Sequence, residues 1–412
     1  MKKLAKTFIL AFTMLAAPSI ADAASLEVEH YWISPSENAA IMEIRKGFEA
    51  RGGTWIDSPM ANLETLRTDL AERLAVGTPP GASQWYAGAA SKEYIQLGAI
   101  VPIEVAGGTE AWKSKLPSFV VDRISVDGVI YLAPVGIHVE NWMWINKKIF
   151  DRHQLTPPKT WPEVVEVAHR LKEAGETPFA LSSDTWTVNL FLRAVFTGVF
   201  SDPQDRALIN DWRGFIASQK FEEALVIIDQ LAELIDMPDT PRDWVRANEE
   251  FAAGQGAIEI MGDWAKAELM AKGLEPGRDF LCEFAPGNQR YLATVVDSMV
   301  FMHPEDDEIR AGQALLAETI MDPEIQSAFS RAKGSTPANQ EAKAASLDAC
   351  AAKVKLALAD PTLDLGQFTV DFPSYGTSRF WNATRRLLIE PATTVEETLA
   401  IIRGMANDPQ MN

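Results

Sequence analysis

The chain has 412 residues, 47% hydrophobic content, a formal net charge of −19 and only two cysteines. That acidity argues against nucleic acid or an anionic membrane surface as a partner, and after the N-terminus no stretch has the roughly eighteen unbroken apolar residues of a membrane-spanning helix. The length is that of two domains, ample to bury cores without help from a cofactor.

Residues 1–23 read as a secretory signal peptide, with Lys2, Lys3 and Lys6 ahead of an apolar run and small residues at Ala21 and Ala23 for cleavage. The remaining chain, about 390 residues, is then expected to be soluble and exported. Residues 26–32 alternate as a first strand, and residues 37–51 follow with Ala40, Ile41, Ile44 and Phe48 on one helical face. Residues 54–57 read as a second strand. Residues 62–75 form an amphipathic helix, with Leu63, Leu66, Leu70 and Leu74 on one stripe and its end marked by Gly77 and Pro79-Pro80. This β-α-β-α opening predicts an open α/β sheet. After the turn Asp127-Gly128, residues 129–135 make a short apolar run and 142–146 alternate as a strand. Thr160 caps a helix through Lys172, with Pro162 and Glu163 in its first turn and Val164, Val167, Ala168 and Leu171 on its inner side. Residues 254–262 read as turn, strand, turn, residues 295–302 as a buried strand, and 308–320 and 395–405 as late helices. No internal repeat, long linker or low-complexity segment interrupts the pattern.

Several of the 12 tryptophans stand beside polar groups. Trp142 and Trp144 follow His138, Glu140 and Asn141 and precede Asn146 and Lys147, while Trp264 lies between Asp263 and Lys266. An indole face stacks on the weakly apolar C–H face of a pyranose, and nearby donors and acceptors pair with its hydroxyls. Core packing is the ordinary alternative for any single Trp. The 5 histidines, His30, His138, His153, His169 and His303, are scattered without ligand spacing, so no metal or cofactor is expected. Cys282 and Cys350 in an oxidising compartment are expected to form one disulfide, worth roughly 4 kcal/mol in the chain-entropy model, the alternative being two buried thiols.

Seven stretches follow one another along the chain: His30-Tyr31-Trp32 with Glu37; Gly77-Thr78-Pro79-Pro80; Ala133-Pro134-Val135-Gly136-Ile137-His138; Asn141-Trp142-Met143-Trp144-Ile145-Asn146-Lys147; Met261-Gly262-Asp263-Trp264-Ala265-Lys266; Val296-Asp297-Ser298; and Lys333-Gly334-Ser335-Thr336-Pro337-Ala338. In this order they resemble the extracellular solute-binding proteins of sugar ABC transporters, and more closely the glucose-binding branch of proteobacteria and thermophiles, which also carries a cysteine pair. The resemblance covers essentially the whole mature chain. It implies an α/β, two-lobe periplasmic-binding-protein fold of type II, with hinge crossovers near Pro134, Val296 and Pro337 and an inter-lobe ligand cleft. The N-terminal lobe would be 24–134 with 297–336, and the C-terminal lobe 135–296 with 337–412. A small-molecule sugar and the membrane permease subunits of an importer would be the partners of a periplasmic monomer.

The same resemblance places Trp32 and Glu37 in the cleft, the first stacking on a sugar face and the second accepting from hydroxyls. For Trp32 the alternative is packing under the next helix, and for Glu37 a first-turn acid complementing the helix dipole. His138 suits a vicinal diol, since an imidazole both donates and accepts. Asp263, Trp264 and Lys266 form the strongest group, with Gly262 turning the chain at the strand end; a surface ion pair beside a half-buried Trp is the alternative. Asp297 and Lys333 match positions that reach the ligand from the other lobe, and Trp186 resembles a further aromatic wall.

The chain departs from the branch in four places. Residues 61–65 replace a glycine-rich stretch, 371–376 lack a late histidine, Tyr31 stands for the first Trp of a pair, and Gly136 replaces an Asn. These changes point away from glucose itself, toward a glycoside, a modified sugar or a small oligosaccharide. The rival class is a glycoside-processing enzyme using Glu37, Asp263 or Asp297, which needs two carboxylates across a cleft at roughly 5 or 6.5–9.5 Å. No nucleophile elbow, zinc motif or phosphate loop accompanies them.

Overall fold

The computed structural model describes residues 24–408 except 238–239, 288–290, 344–347, 361–362 and 367–373. The signal segment, 1–23, and residues 371–373 of the departing stretch lie outside the described residues.

The chain opens with β1 (Ser25–His30), α1 (Pro35–Ala50), β2 (Thr54–Pro59), α2 (Leu63–Val76) and β3 (Ala82–Tyr86). β1 lies between β2 and β3 and runs parallel to both. Local chemistry sets the bounds. Ser34 caps α1 and Glu37 returns the bond in a capping box, with Pro35 in the first turn where no N–H is needed. Ala40, Ile41, Ile44 and Phe48 are its buried face, as their spacing predicts. Asn62 caps α2, and Gly77 ends it at φ 79°, a left-handed conformation that favours glycine. Of the leucine stripe, Leu66 and Leu70 are buried while Leu63 and Leu74 are half-buried.

The apolar run at 129–135 does not form one strand. Asp127 and Gly128, at φ 51° and 79°, close a two-residue hairpin between Ser125–Val126 and Val129–Ile130. An Asp-Gly pair favours that turn. β4 (Leu132–Val139) starts beyond it and is buried along its whole length. Then come β5 (Trp142–Asn146), α3 (Thr185–Val199), α4 (Trp244–Ala252), β6 (Ile258–Ile260), α5 (Trp264–Ala271) and β7 (Phe280–Phe284). β8 (Tyr291–Phe301), α6 (Pro323–Lys333), β9 (Thr336–Pro337) and α7 (Ala349–Leu358) follow. One sheet has the order β9-β4-β8-β3-β1-β2, with Asp364–Gly366 also pairing β8, and the other has the order β6-β5-β7.

Two hydrophobic cores result. The first gathers Leu26, Val28, Phe48, Leu66, Trp85, Val300 and Phe329. The second gathers Trp142, Trp144, Phe191, Phe196, Phe215 and Phe251. β4 passes from one core to the other between Ile137 and Val139, and β8 does so between Leu292 and Val296. β9 pairs with β4 at Gly136 and Ile137, so a third segment runs through the same place. This is a two-lobe α/β fold joined by short crossings, in which a few residues absorb any rotation. Cys282 on β7 and Cys350 on α7 form the expected disulfide, across a sequence separation of 68.

Candidate functional site

At the end of β4 the imidazole of His138 lies between two carboxylates. Its Nδ1 is 2.5 Å from Oδ1 of Asp263, the residue before α5, and its Nε2 is 3.1 Å from Asp297 Oδ2. The second contact lacks hydrogen-bond alignment, so Asp297 acts on the ring through charge. Asp263 Oδ2 also accepts the Val139 N–H at 3.1 Å, which fixes this carboxylate against the crossing strand. Asp297 stands where the β4–β8 register shifts, and such a bulge re-aims the side chain it carries. Burial alone would push the imidazole down, but Asp263 and Asp297 outweigh it and raise it to about 9. His138 is therefore a cation at neutral pH.

Glu37 and Lys333 come from the first lobe. Glu37 Oε1 accepts from Lys333 Nζ at 3.0 Å. Gly334, just past α6 at φ 84°, packs so closely on the Asp263 carbonyl that a Cβ would collide. That approach brings Lys333 Nζ to 5.7 Å from the centre of the Trp264 ring, within cation–π reach. Tyr31 and Tyr86 complete this wall. Gln84 Oε1 accepts from the Tyr31 backbone N–H at 2.9 Å. Burial, then Asp297, Tyr86 and Glu37, raises the Tyr31 phenol well above its usual range. Tyr86 lies opposite Asp297 in the β3–β8 ladder, and its hydroxyl accepts from Arg67.

The second lobe contributes rings. Trp264, at the start of α5, meets His138 edge-on at 5.5 Å and Trp186 at 6.1 Å, and Trp186 meets Trp244 at 6.4 Å. Gly262 is required beneath Trp264, because a Cβ there would strike the ring. Trp186 is 42% exposed, unusual for so large an apolar side chain. The buried Nε1 of Trp264 has no acceptor among the described residues. The lobes also bond directly: the Ser36 backbone N–H and hydroxyl donate to Glu268 Oε1 at 3.1 and 2.6 Å, both residues being buried. A carboxylate of α5 thus faces the positive end of α1.

Glu37, His138, Trp186, Asp263, Trp264, Asp297 and Lys333 therefore meet in one cluster. Trp32 and Lys266 lie elsewhere. Trp32 is 1% exposed within the first core, its ring 5.2 Å from Phe329 of α6, so packing and not the cleft accounts for it. Lys266 is buried with its ammonium 3.0 Å from Asp348, the N-cap of α7. Two positions along a helix turn it about 200° away from Trp264. No pattern in the chain pointed to Arg67, Trp244 or Glu268 at this junction. Tyr86 had a signal, since it alternates with the core residue Trp85 at the end of β3.

Two α/β lobes that meet with indoles on one side and charged groups and phenols on the other define a two-lobe ligand-binding protein. The chain belongs to the bacterial extracellular solute-binding protein family, whose family model matches residues 55–300. It is 31% identical over 356 residues to a probable sugar-binding periplasmic protein of Rhizobium meliloti (strain 1021), covering 86% of this chain and 85% of that one. A protein of the same description from Brucella melitensis biotype 1 is 31% identical over 332 residues, 80% of this chain and 78% of the other. The fold is shared with a chitin oligosaccharide binding protein, at TM-score 0.74 and 19% identity over 94% of this chain and 99% of that one. RafE in complex with raffinose gives TM-score 0.75 and 16% identity over 92% and 99%.

Proposed function

We propose that this protein captures a carbohydrate between its lobes in the periplasm and presents it, as a monomer, to the membrane permease subunits of an ABC importer. The observation that carries the reading is the meeting of Trp264 with Lys333, Glu37 and His138, an indole from one lobe beside charged groups from the other lobe and the crossing strand. Trp264 offers a ring for stacking and a free N–H, and Trp186 extends the apolar wall. Glu37, Lys333, His138, Asp263 and Asp297 pair with hydroxyls through charge-assisted bonds. Trp32 and Lys266 hold these walls from behind. The closing units are 24–134 with 297–336 and 135–296 with 337–412, and a ligand touching both favours closure by the contacts the open state lacks.

The ligand is bound and not turned over. Each carboxylate of the cluster is committed to His138 or Lys333, whereas hydrolysis needs an acid and a base free to face the glycosidic bond. A thermal-shift screen of mono-, di- and modified saccharides tests the reading, since a ligand of the native state raises the melting midpoint. A saccharide that shifts the midpoint and shrinks the radius of gyration in small-angle scattering is expected. No shift across the panel, or sugar released from a glycoside, sinks it.

A further inference from the structure

Arg67 stands beside the cleft with no carboxylate bound to it among the described residues. Its Nη2 donates to the Tyr86 hydroxyl at 2.5 Å, and its guanidinium carbon lies 5.5 Å from the ring centres of both Trp85 and Tyr86. Asn62 Oδ1 accepts the Thr65 N–H at 2.9 Å and starts α2 with a capped turn. Leu66 then faces the core, and Arg67 follows half-buried.

The other cations of the cluster already face anions. Lys333 is held by Glu37, and His138 by Asp263 and Asp297. Arg67 alone among them keeps donors uncommitted to an anion, in a planar fork that fits a carboxylate with two parallel bonds. The flanking rings hold that fork flat and thin the water around it. Tyr31, whose phenol feels Arg67 as well as Asp297 and Glu37, links it to the rest of the wall.

We propose that the ligand is an acidic sugar whose carboxylate is bound by Arg67, with Tyr86 holding the guanidinium in place. This rests on the carbohydrate reading above and names the sugar class within it. One guanidinium matches one negative charge, and Glu37, Asp263 and Asp297 weigh about twice as heavily against a phosphate dianion as against a carboxylate.

Calorimetry on the mature protein decides the matter, with D-galacturonate against D-galactose, D-glucuronate against D-glucose, digalacturonate, and the two hexose 6-phosphates. A uronate is expected to bind at least about tenfold more tightly than its neutral partner. Arg67→Gln should bring that ratio close to one, the larger loss of affinity falling on the uronate. Tyr86→Phe, which keeps the ring and loses the hydroxyl, should lower the ratio by less. Equal or tighter binding of the neutral sugar, an unchanged ratio in Arg67→Gln, or preference for a 6-phosphate would overturn the proposal. Should neutral sugars bind and uronates not, this inference falls alone; should neither bind, the carbohydrate reading falls with it.

Discussion

The two walls of the cleft differ in kind. The first lobe presents Glu37, Lys333, Tyr31 and Tyr86, groups that exchange hydrogen bonds, while the second presents the rings of Trp264, Trp186 and Trp244. Trp32 and Trp264 make the contrast concrete. Both follow a strand and stand beside polar residues in the sequence, yet Trp32 is sealed against Phe329 while Trp264 faces Lys333 and His138. The first lobe packs its tryptophan into a core, and the second sets its own against charged groups of the junction. On the proposed reading, apolar area and hydroxyl pairing come from opposite sides.

That comparison breaks first at Trp32. Trp32→Ala should cost roughly 3–5 kcal/mol of stability by emptying a core site, read by denaturant unfolding, with affinity of the folded protein kept. Lost affinity at full stability would move Trp32 into the cleft. Trp264→Ala should instead lower sugar affinity by on the order of 1–3 kcal/mol through lost stacking and burial, with the fold retained. Calorimetry showing unchanged affinity and a fallen melting midpoint would assign Trp264 to the core as well.

Alkaline pH probes the buried charges. His138 holds its proton to about 9 in the folded chain against 6.5 unfolded, so its contribution is complete below about 6.5 and is lost as pH rises through about 9. Each lobe also hides one carboxyl pushed up from 4.5 by burial, Glu29 to about 7 and Glu259 to about 8. Both favour the protonated folded state at low pH and lose that advantage as pH rises through those values, the same direction as His138. The melting midpoint should therefore fall from about pH 4.5 upward, through the carboxyls first and His138 last, until about pH 9; no fall between about pH 8 and 9 would mean His138 is not held charged. Glu259→Gln should raise the melting midpoint at about pH 8.5 and leave it nearly unchanged at about pH 5. No alkaline gain would show that the Glu259 carboxylate is solvated.

Much of this was legible in the chain. Caps and spacing defined α1, α2 and the helix Trp161–Glu173, and alternation defined Trp142–Asn146. α3 gave no such stripe, because the second core surrounds most of its surface. The Asp-Gly hairpin cut the run at 129–135, a matter of turn geometry rather than hydrophobicity. Within the site, adjacency misled at Asp263-Trp264-Ala265-Lys266: residues that read as one group are the start of a helix, which sends Trp264 and Lys266 to different sides. Trp32 was hidden for a different reason, since Phe329, which covers it, comes from a helix near the other end of the chain. Arg67 meets Tyr86 only through the return from α2 to β3.

β7 is an outer strand of its sheet, paired with β5 on one side and, on the other, bridged among the described residues only at Pro276. Unpaired backbone along such a rim can template a strand from another molecule. Cys350 fastens α7 to Cys282 in the middle of that rim. Lys353, a turn further on, donates to the Cys282 carbonyl and to Glu283 Oε2, both at 2.6 Å. The disulfide is thus a rivet through a cover. Without the disulfide, the bonds of Lys353 are what remains among these contacts to hold the cover over the strand.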